Sequence, residues 1–382
     1  MPDRRDLLSA ALRLILAWYP TVRRPLPWRQ DPTPYHTWVA EIMLQQTRIE
    51  AVLPYYTRFL NELPDLQHLA AVPEDRLMKL WEGLGYYSRA RNLKKTAVLL
   101  LAQYGGSLPA SAEELRKLPG IGDYTAGAIA SIAFGLPEPA VDGNVLRVVT
   151  RLLACGDDIT DTKTRRTVTE WLRSCYPGGR DAGLVTEGIM ELGETVCLPN
   201  GLPHCEACPL QGLCAAHAAG KELAYPVRTA PRPRRVEEKT VLLLRRGNCF
   251  AVRRRPKTGL LAGLWEFPNA DGRLTPEQAA RLAESFALTV RTVVPCGNAK
   301  HVFTHVEWQM TGFLLDCTEI SPADLPLTAS TRGEAGREGP LQELKELKEP
   351  GDLLWKTPAA LAEEVPLPTA FRPWQKKLGE LG

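Results

Sequence analysis

The chain has 382 residues, 44% hydrophobic and 24% charged, and its 47 Lys and Arg against 44 Asp and Glu leave a net charge of +3. That length suggests two domains, and the composition is that of an ordinary globular protein, which excludes disordered, collagenous and membrane-spanning classes. Nine cysteines, an odd count, argue against a disulfide framework, and the charged start MPDRRDLLSA lacks the apolar core of a secretory signal, so a cytoplasmic monomer with no membrane contact is expected.

From the N-terminus to about residue 218 the pattern is helical. Leu7, Leu8, Ala11, Leu12, Ile15 and Trp18 fall at helical spacing, and Pro20 is expected to end that helix. A Pro-rich connector, RRPLPWRQDPTPYHTW, leads into a second helix, VAEIMLQQT, where Glu41 stands alone among Val, Ile, Met and Leu. Burying a carboxylate is costly unless it is paired or neutralised, and burial raises its pKa. Glu41 is thus either a flaw offset elsewhere or a general acid.

Further helices are expected near 51–62, 74–82, 88–104, 111–117, 124–134, 143–154, 162–175 and 182–196. Between two of them lies LPGIG, residues 118–122. Glycine permits positive φ and close backbone approach, so the amides of Ile121 and Gly122, with those opening the next helix, are expected to face outward as a phosphate site. Helix–LPGIG–helix is the helix-hairpin-helix pattern, a sequence-independent binder of the DNA backbone; the plainer reading is an interhelical turn. Asp142, in AVDGNV, precedes a helix and reads first as its N-cap, a role that also fixes a carboxylate and keeps it ionised.

Cys197, Cys205, Cys208 and Cys214 lie within one short stretch. Four thiolates so placed can wrap one metal centre, either tetrahedral zinc or an iron–sulfur cluster. A single pair two apart, in one loop closing a helical region, favours a [4Fe-4S] cluster with a structural or DNA-docking role. The scattered Cys155, Cys175, Cys249, Cys296 and Cys317 read as packing residues. Residues 219–236, rich in Pro and Arg, read as a linker. Beyond them TVLLL, CFAVRRR, LTVRTVVPC and WQMTGFLLDC are short β-rich runs, with a helix near 275–286, so residues 237–382 form an α+β domain. Residues 328–350 read as a polar loop and a short charged helix.

The ordered motifs Glu41-x-MLQQT, GLGYYSRARNL (83–93), LPGIGDYTAGA (118–128), VDGNV (141–145) and the cysteine loop together resemble the helix-hairpin-helix DNA glycosylases, and within them the MutY branch of adenine DNA glycosylases. The resemblance implies a multidomain fold. Residues 25–138 would be a six-helix domain carrying the hairpin, 1–24 with 139–218 an iron–sulfur domain, and 237–382 a Nudix-like domain that reads 8-oxoguanine. It implies base-excision repair in the bacterial nucleoid on double-stranded DNA with adenine opposite 8-oxoguanine or guanine. Glu41 would protonate the leaving adenine, and Asp142 would stabilise an oxocarbenium-like sugar. Asn144 would orient Asp142 or the water, and Tyr124 would support Asp142.

The same resemblance puts Glu187, Arg29 and Arg24 at the flipped adenine. Gln46, Thr47, Leu84 and Tyr86 would lie beside the opposite base, and Phe303, Thr304 and His305 would meet 8-oxoguanine. Gly120, Ile121 and Gly122 would hold DNA backbone, Arg89 and Arg91 would contact phosphates, and Tyr87 would be a core aromatic. Related lyases place a nucleophilic Lys where Tyr124 stands, so a monofunctional enzyme is expected. Two departures matter. The first cysteine gap is seven residues where six is usual, and DGRLTPEQAARLAESFAL lacks the paired glutamates with which a working Nudix hydrolase holds Mg²⁺. The competing readings are an oxidised-pyrimidine glycosylase/lyase of the endonuclease III type and a non-catalytic iron–sulfur DNA-binding protein.

Overall fold

The computed structural model describes residues 3–230, 232–319 and 353–380, and the expected polar loop at 328–350 lies outside them. The chain forms two compact units, residues 1–72 with 88–231, and residues 73–87 with 232–382. The segment 73–87, expected within the N-terminal helical region, thus belongs to the second unit.

The helices of the N-terminal half run in order α1 (Arg4–Val22), α2 (Pro27–Gln30), α3 (Pro34–Leu44), α4 (Ile49–Glu62), α5 (Leu66–Ala71), α6 (Glu74–Trp81), α7 (Ser88–Gln103) and α8 (Ala112–Arg116). They continue as α9 (Asp123–Ile132), α10 (Gly143–Leu153), α11 (Thr162–Arg173), α12 (Arg180–Thr195) and α13 (Ala215–Ala218). All but α6 lie in the first unit. Pro20 does not end α1, which runs on to Val22. Proline here removes one bond of the last turn, and Thr21 Oγ1 donates to Trp18 O at 2.7 Å. Leu8, Leu12 and Ile15 of α1 pack against Val145 and Val149 of α10, Val168 and Leu172 of α11, and Val185 and Ile189 of α12. The first helix is therefore part of the same core as segments far along the chain.

Between α8 and α9 the hairpin turns at Gly120, whose φ is +79° and where a Cβ would sit 2.7 Å from Asn92 Cβ. Both conditions require glycine. The expected outward amide pair is corrected in part: Ile121 is buried and its N–H donates to Leu118 O at 3.1 Å. The stretch 222–229, expected as free linker, is laced to the first unit. Arg151 Nε donates to the carbonyls of Glu222 and Tyr225 at 3.0 and 2.9 Å, and Thr229 N donates to Asp158 Oδ2 at 3.0 Å.

The second unit is built on a mixed sheet of β1 (Arg235–Arg246), β2 (Cys249–Arg254), β3 (Trp265–Glu266), β4 (Asn269–Asp271), β5 (Leu288–Val302), β6 (Val306–Glu319) and β7 (Leu354–Lys356). The strand order is β3-β2-β1-β6-β5, with β4 pairing β1 and β7 pairing β2. Only β1 and β6, among the described strands, run parallel, from Arg235 opposite Val306 to Arg245 opposite Asp316. Side chains alternate across a strand. Val241 and Leu243 therefore face Leu361 and Trp374 of α15 (Pro358–Glu364) and α16 (Arg372–Leu378), while Leu242 and Leu244 face Ala279 and Leu282 of α14 (Pro276–Glu284). Neither C-terminal helix was expected from the sequence.

Candidate active site

Glu41 lies on α3, whose Thr33 caps the N-terminus by accepting from His36 N. The helix buries residues on nearly every side, and Glu41 is only 6% exposed. Tyr124, in the first turn of α9, donates its hydroxyl to Glu41 Oε2 at 2.6 Å. Burial pushes the Glu41 pKa up from 4.5 to about 7; the Tyr124 hydrogen bond opposes this, and the charges of Asp142 and Glu187 add to it.

Asp142 is the N-cap of α10, as its sequence context implied. Oδ1 accepts from Val145 N at 2.8 Å and Oδ2 from Asn144 Nδ2 at 2.9 Å. Burial leaves its pKa raised as well, although donors from Val145 and Asn144 and the Arg147 charge pull the other way. The two carboxyls thus differ in kind. Glu41 sits in an apolar helix with one donor, while Asp142 sits at a helix N-terminus where amides and a cation favour charge.

Asn144 is itself held: Arg147 Nη2 donates to Asn144 Oδ1 and to Gly193 O, both at 2.8 Å, and Arg147 Nε donates to Cys197 O at 2.7 Å. A Cβ on Gly193 would lie 2.6 Å from Asn144 Cβ, so α12 approaches α10 this closely only because residue 193 has no side chain.

Glu187 on α12 is buried, and its Oε2 accepts from Tyr19 at 2.8 Å and from Arg23 at 3.1 Å. Arg29 stands 3.9 Å from Glu187 and 2.8 Å from Glu191. Arg29, Glu41, Gln46, Thr47, Tyr124, Asp142, Asn144 and Glu187 all line one cavity of about 400 Å³, a size suited to a small ligand such as a single base. Arg24 does not line it, for its guanidinium is committed to Glu191 and Glu194. Arg89 is not the surface phosphate contact expected. It is buried and donates to the carbonyls of Ile42, Met43 and Gln45 at 2.8, 3.0 and 2.7 Å, closing the C-terminus of α3.

Gln46, just past α3, is exposed with φ of 58°, and Tyr86 is exposed with φ of 46°. Left-handed backbone is uncommon outside glycine, and such strain gathers at functional sites. In the second unit the Tyr86 hydroxyl shares a hydrogen bond with the Thr304 hydroxyl. Leu84 is buried rather than presented at a surface, and Tyr87 is buried as expected. Phe303, Thr304 and His305 form the turn between β5 and β6, closed by Phe303 N donating to Val306 O at 2.8 Å.

Cys197, Cys205, Cys208 and Cys214 line one small cavity behind α10, as the donor set of a metal centre would. Among the described residues no three of the four sulfurs come within 4.8 Å of one another, and the group that does is Cys205, His217 and Glu222. Arg151 Nη1 donates to Cys197 Sγ at 3.2 Å, a cation matched to a thiolate-held group. No described helix is long and apolar enough to cross a membrane.

Residues 39–174 match the HhH-GPD superfamily of base excision DNA repair proteins, and residues 240–377 match the NUDIX domain. The adenine DNA glycosylase of Rattus norvegicus is 34% identical over 380 residues, covering 84% of this chain and 73% of that protein. The chain belongs to the adenine DNA glycosylase family. That of Buchnera aphidicola subsp. Baizongia pistaciae is 35% identical over 258 residues, 66% of this chain and 72% of that one. A thermostable thymine-DNA glycosylase of known structure superposes with a TM-score of 0.51 at 29% identity, over 56% of this chain and 98% of its own.

This adenine DNA glycosylase family member is thus an enzyme of DNA repair, a hydrolase of N-glycosyl bonds, with a helical glycosylase region and a Nudix-like domain of mixed sheet. Sequence reasoning missed Tyr19, Arg23, Glu191 and Arg147. Tyr19 sits at core spacing in α1 and reads as one more apolar core position. Arg147 and Glu191 each lie one helical turn beyond a residue that was singled out, Asn144 and Glu187, and that spacing was the available signal.

Proposed function

We propose that this glycosylase removes adenine mispaired with 8-oxoguanine or guanine, by flipping the adenosine out of the duplex and hydrolysing its N-glycosidic bond without cutting the strand. The observation that carries the reading is the pair of unlike carboxyls on one cavity, Glu41 pushed up to about 7 beside Tyr124, and Asp142 capped and hydrogen-bonded at a helix N-terminus.

The flipped base enters the cavity, at the cost of unstacking. Adenine leaves poorly as an anion, and the Glu41 carboxyl delivers a proton to its ring as the bond to the sugar lengthens, an assistance worth about 10²–10⁴-fold. Asp142 faces the developing positive charge of the sugar, stabilising it or adding to it, and Asn144 holds that carboxylate in place. Water completes the hydrolysis and leaves an abasic site. Arg29 and Glu187 offer donor and acceptor groups to the edge of the base. With Tyr124 where a lyase has lysine, no amine lies in the cavity lining to form a Schiff base.

Gln46 and Tyr86, both strained and exposed, are suited to entering the duplex where the base has left. The turn Phe303–His305 is suited to reading the opposite 8-oxoguanine, and Gly120 and Gly122 with the start of α9 to holding phosphate. Cys197, Cys205, Cys208 and Cys214 would hold a [4Fe-4S] cluster, which when bound ties the loop to α10 and supplies no step of the hydrolysis.

A single-turnover assay on duplex with adenine opposite 8-oxoguanine, read before and after alkali, tests the reading. Adenine release with strand breakage only after alkali is expected. Breakage without alkali reassigns the protein to the endonuclease III type, and no release from cluster-replete protein leaves a DNA-binding protein.

A further inference from the structure

The β5–β6 turn is anchored by the chain that enters the second unit. Arg234 Nε donates to Phe303 O at 3.1 Å, and the next residue, Arg235, donates its backbone N–H to His305 O at 3.0 Å, where the parallel pairing of β1 with β6 begins. The two carbonyls that bracket Thr304 are therefore held by consecutive residues. The Phe303 ring is fixed edge-on by His301 and Trp308, with centroids 4.5 and 4.9 Å away.

A peptide unit is planar and trans, so its carbonyl and the following N–H point in opposite directions. Holding Phe303 O on one side aims the Thr304 N–H to the other. A charged donor on the carbonyl also polarises that N–H and strengthens it as a donor. We propose that Arg234 is a positioning residue for lesion recognition: it orients the Phe303–Thr304 peptide toward an acceptor oxygen on the base opposite the adenine. An exposed arginine in APRPRR would otherwise be read as a phosphate contact, and the geometry assigns it to the turn instead. The inference rests on the reading of this turn as the 8-oxoguanine contact.

The test compares full-length, cluster-replete wild type with Arg234→Ala, Arg234→Lys and Thr304→Ala. Single-turnover adenine release is measured on duplexes carrying 8-oxoguanine or guanine opposite the adenine. Arg234→Ala is expected to lower the ratio of the two rates about fivefold, the worth of one hydrogen bond. The guanine rate stays unchanged, and Arg234→Lys recovers part of the ratio. In the DNA-free protein, amide exchange at residues 303–306 is expected to rise in Arg234→Ala.

Equal loss on both duplexes with a shallower salt dependence makes Arg234 a phosphate contact and overturns the proposal. Unchanged exchange in Arg234→Ala also overturns it. A ratio that falls in Thr304→Ala but not in Arg234→Ala sinks the proposal and spares the reading of the turn. A ratio unchanged in both removes the reading, and the proposal with it.

Discussion

Glu41 and Thr304 present functional groups in opposite ways. Glu41 is 6% exposed, with Tyr124 on one oxygen and two further carboxyls near enough to raise its pKa. Thr304 stands on an exposed turn whose backbone is pinned at both flanking carbonyls and whose hydroxyl shares a hydrogen bond with that of the exposed Tyr86. The difference follows from the two tasks. Proton transfer near neutral pH needs a carboxyl whose charged form is disfavoured, which requires removal from water. Reading a base needs donors and acceptors fixed in direction yet accessible, so the backbone is restrained while the residue stays exposed. The first costs stability and the second costs almost none.

The sharpest way to break this comparison is Glu41→Gln. Loss of the proton donor is expected to lower single-turnover adenine release by about 10²–10⁴-fold with duplex affinity retained. Stability moves the other way. The Glu41 pKa is about 7 in the fold against 4.5 for the free group, so the unfolded chain gives up this proton first as pH rises. Its contribution to stability is full below about pH 4.5 and is lost by about pH 7. Glu41→Gln removes that loss and is expected to stabilise the protein at pH 8 by up to about 3 kcal/mol, read by denaturant melts. A variant both inactive and unfolded would make Glu41 structural. In the wild type the same titration predicts that adenine release declines as pH rises above about 7, because only the protonated acid donates.

Next in size is Gly193→Ala, whose Cβ would collide with Asn144. Overpacking of this kind is expected to cost about 1–3 kcal/mol and to displace the residue that holds Asp142, visible as a lower melting temperature with slowed release. Tyr124→Phe removes one hydrogen bond to Glu41 and is expected to slow release by about tenfold or less. It should also move the alkaline decline to higher pH, since the lost donor favoured the charged form. Smallest is Thr304→Ala, expected to lower the preference for 8-oxoguanine over guanine by a few-fold with no change in stability, in keeping with an exposed turn.

Most of the helices and the main strands were legible because their apolar spacing is strong. α4, α7, α10 and α12 lie within about two residues of their expected bounds. α15 and α16 were not, since PAALAEE and RPWQKKL are each only two turns long, too short to show a helical period, and only packing on the sheet makes them helices. The candidate site divides in the same way. Glu41 stood out because a lone carboxylate in an apolar run has few explanations, and Asp142 because N-cap positions have a local signature. Arg89 was misread because an arginine beside a glycine-rich turn looks the same whether it meets phosphate or the end of a buried helix.

The sequence by itself determined the chemistry on offer: two carboxyls, a tyrosine in place of a lysine, four grouped thiols and a glycine hairpin. Tertiary structure alone decided which of these groups meet. Tyr19 reaches Glu187, 168 residues away along the chain, and Arg147 links Asn144 to the Gly193 and Cys197 carbonyls. Periodicity records which face of a helix is buried, but the partner of a buried polar atom depends on how two helices cross, and no local pattern encodes that crossing.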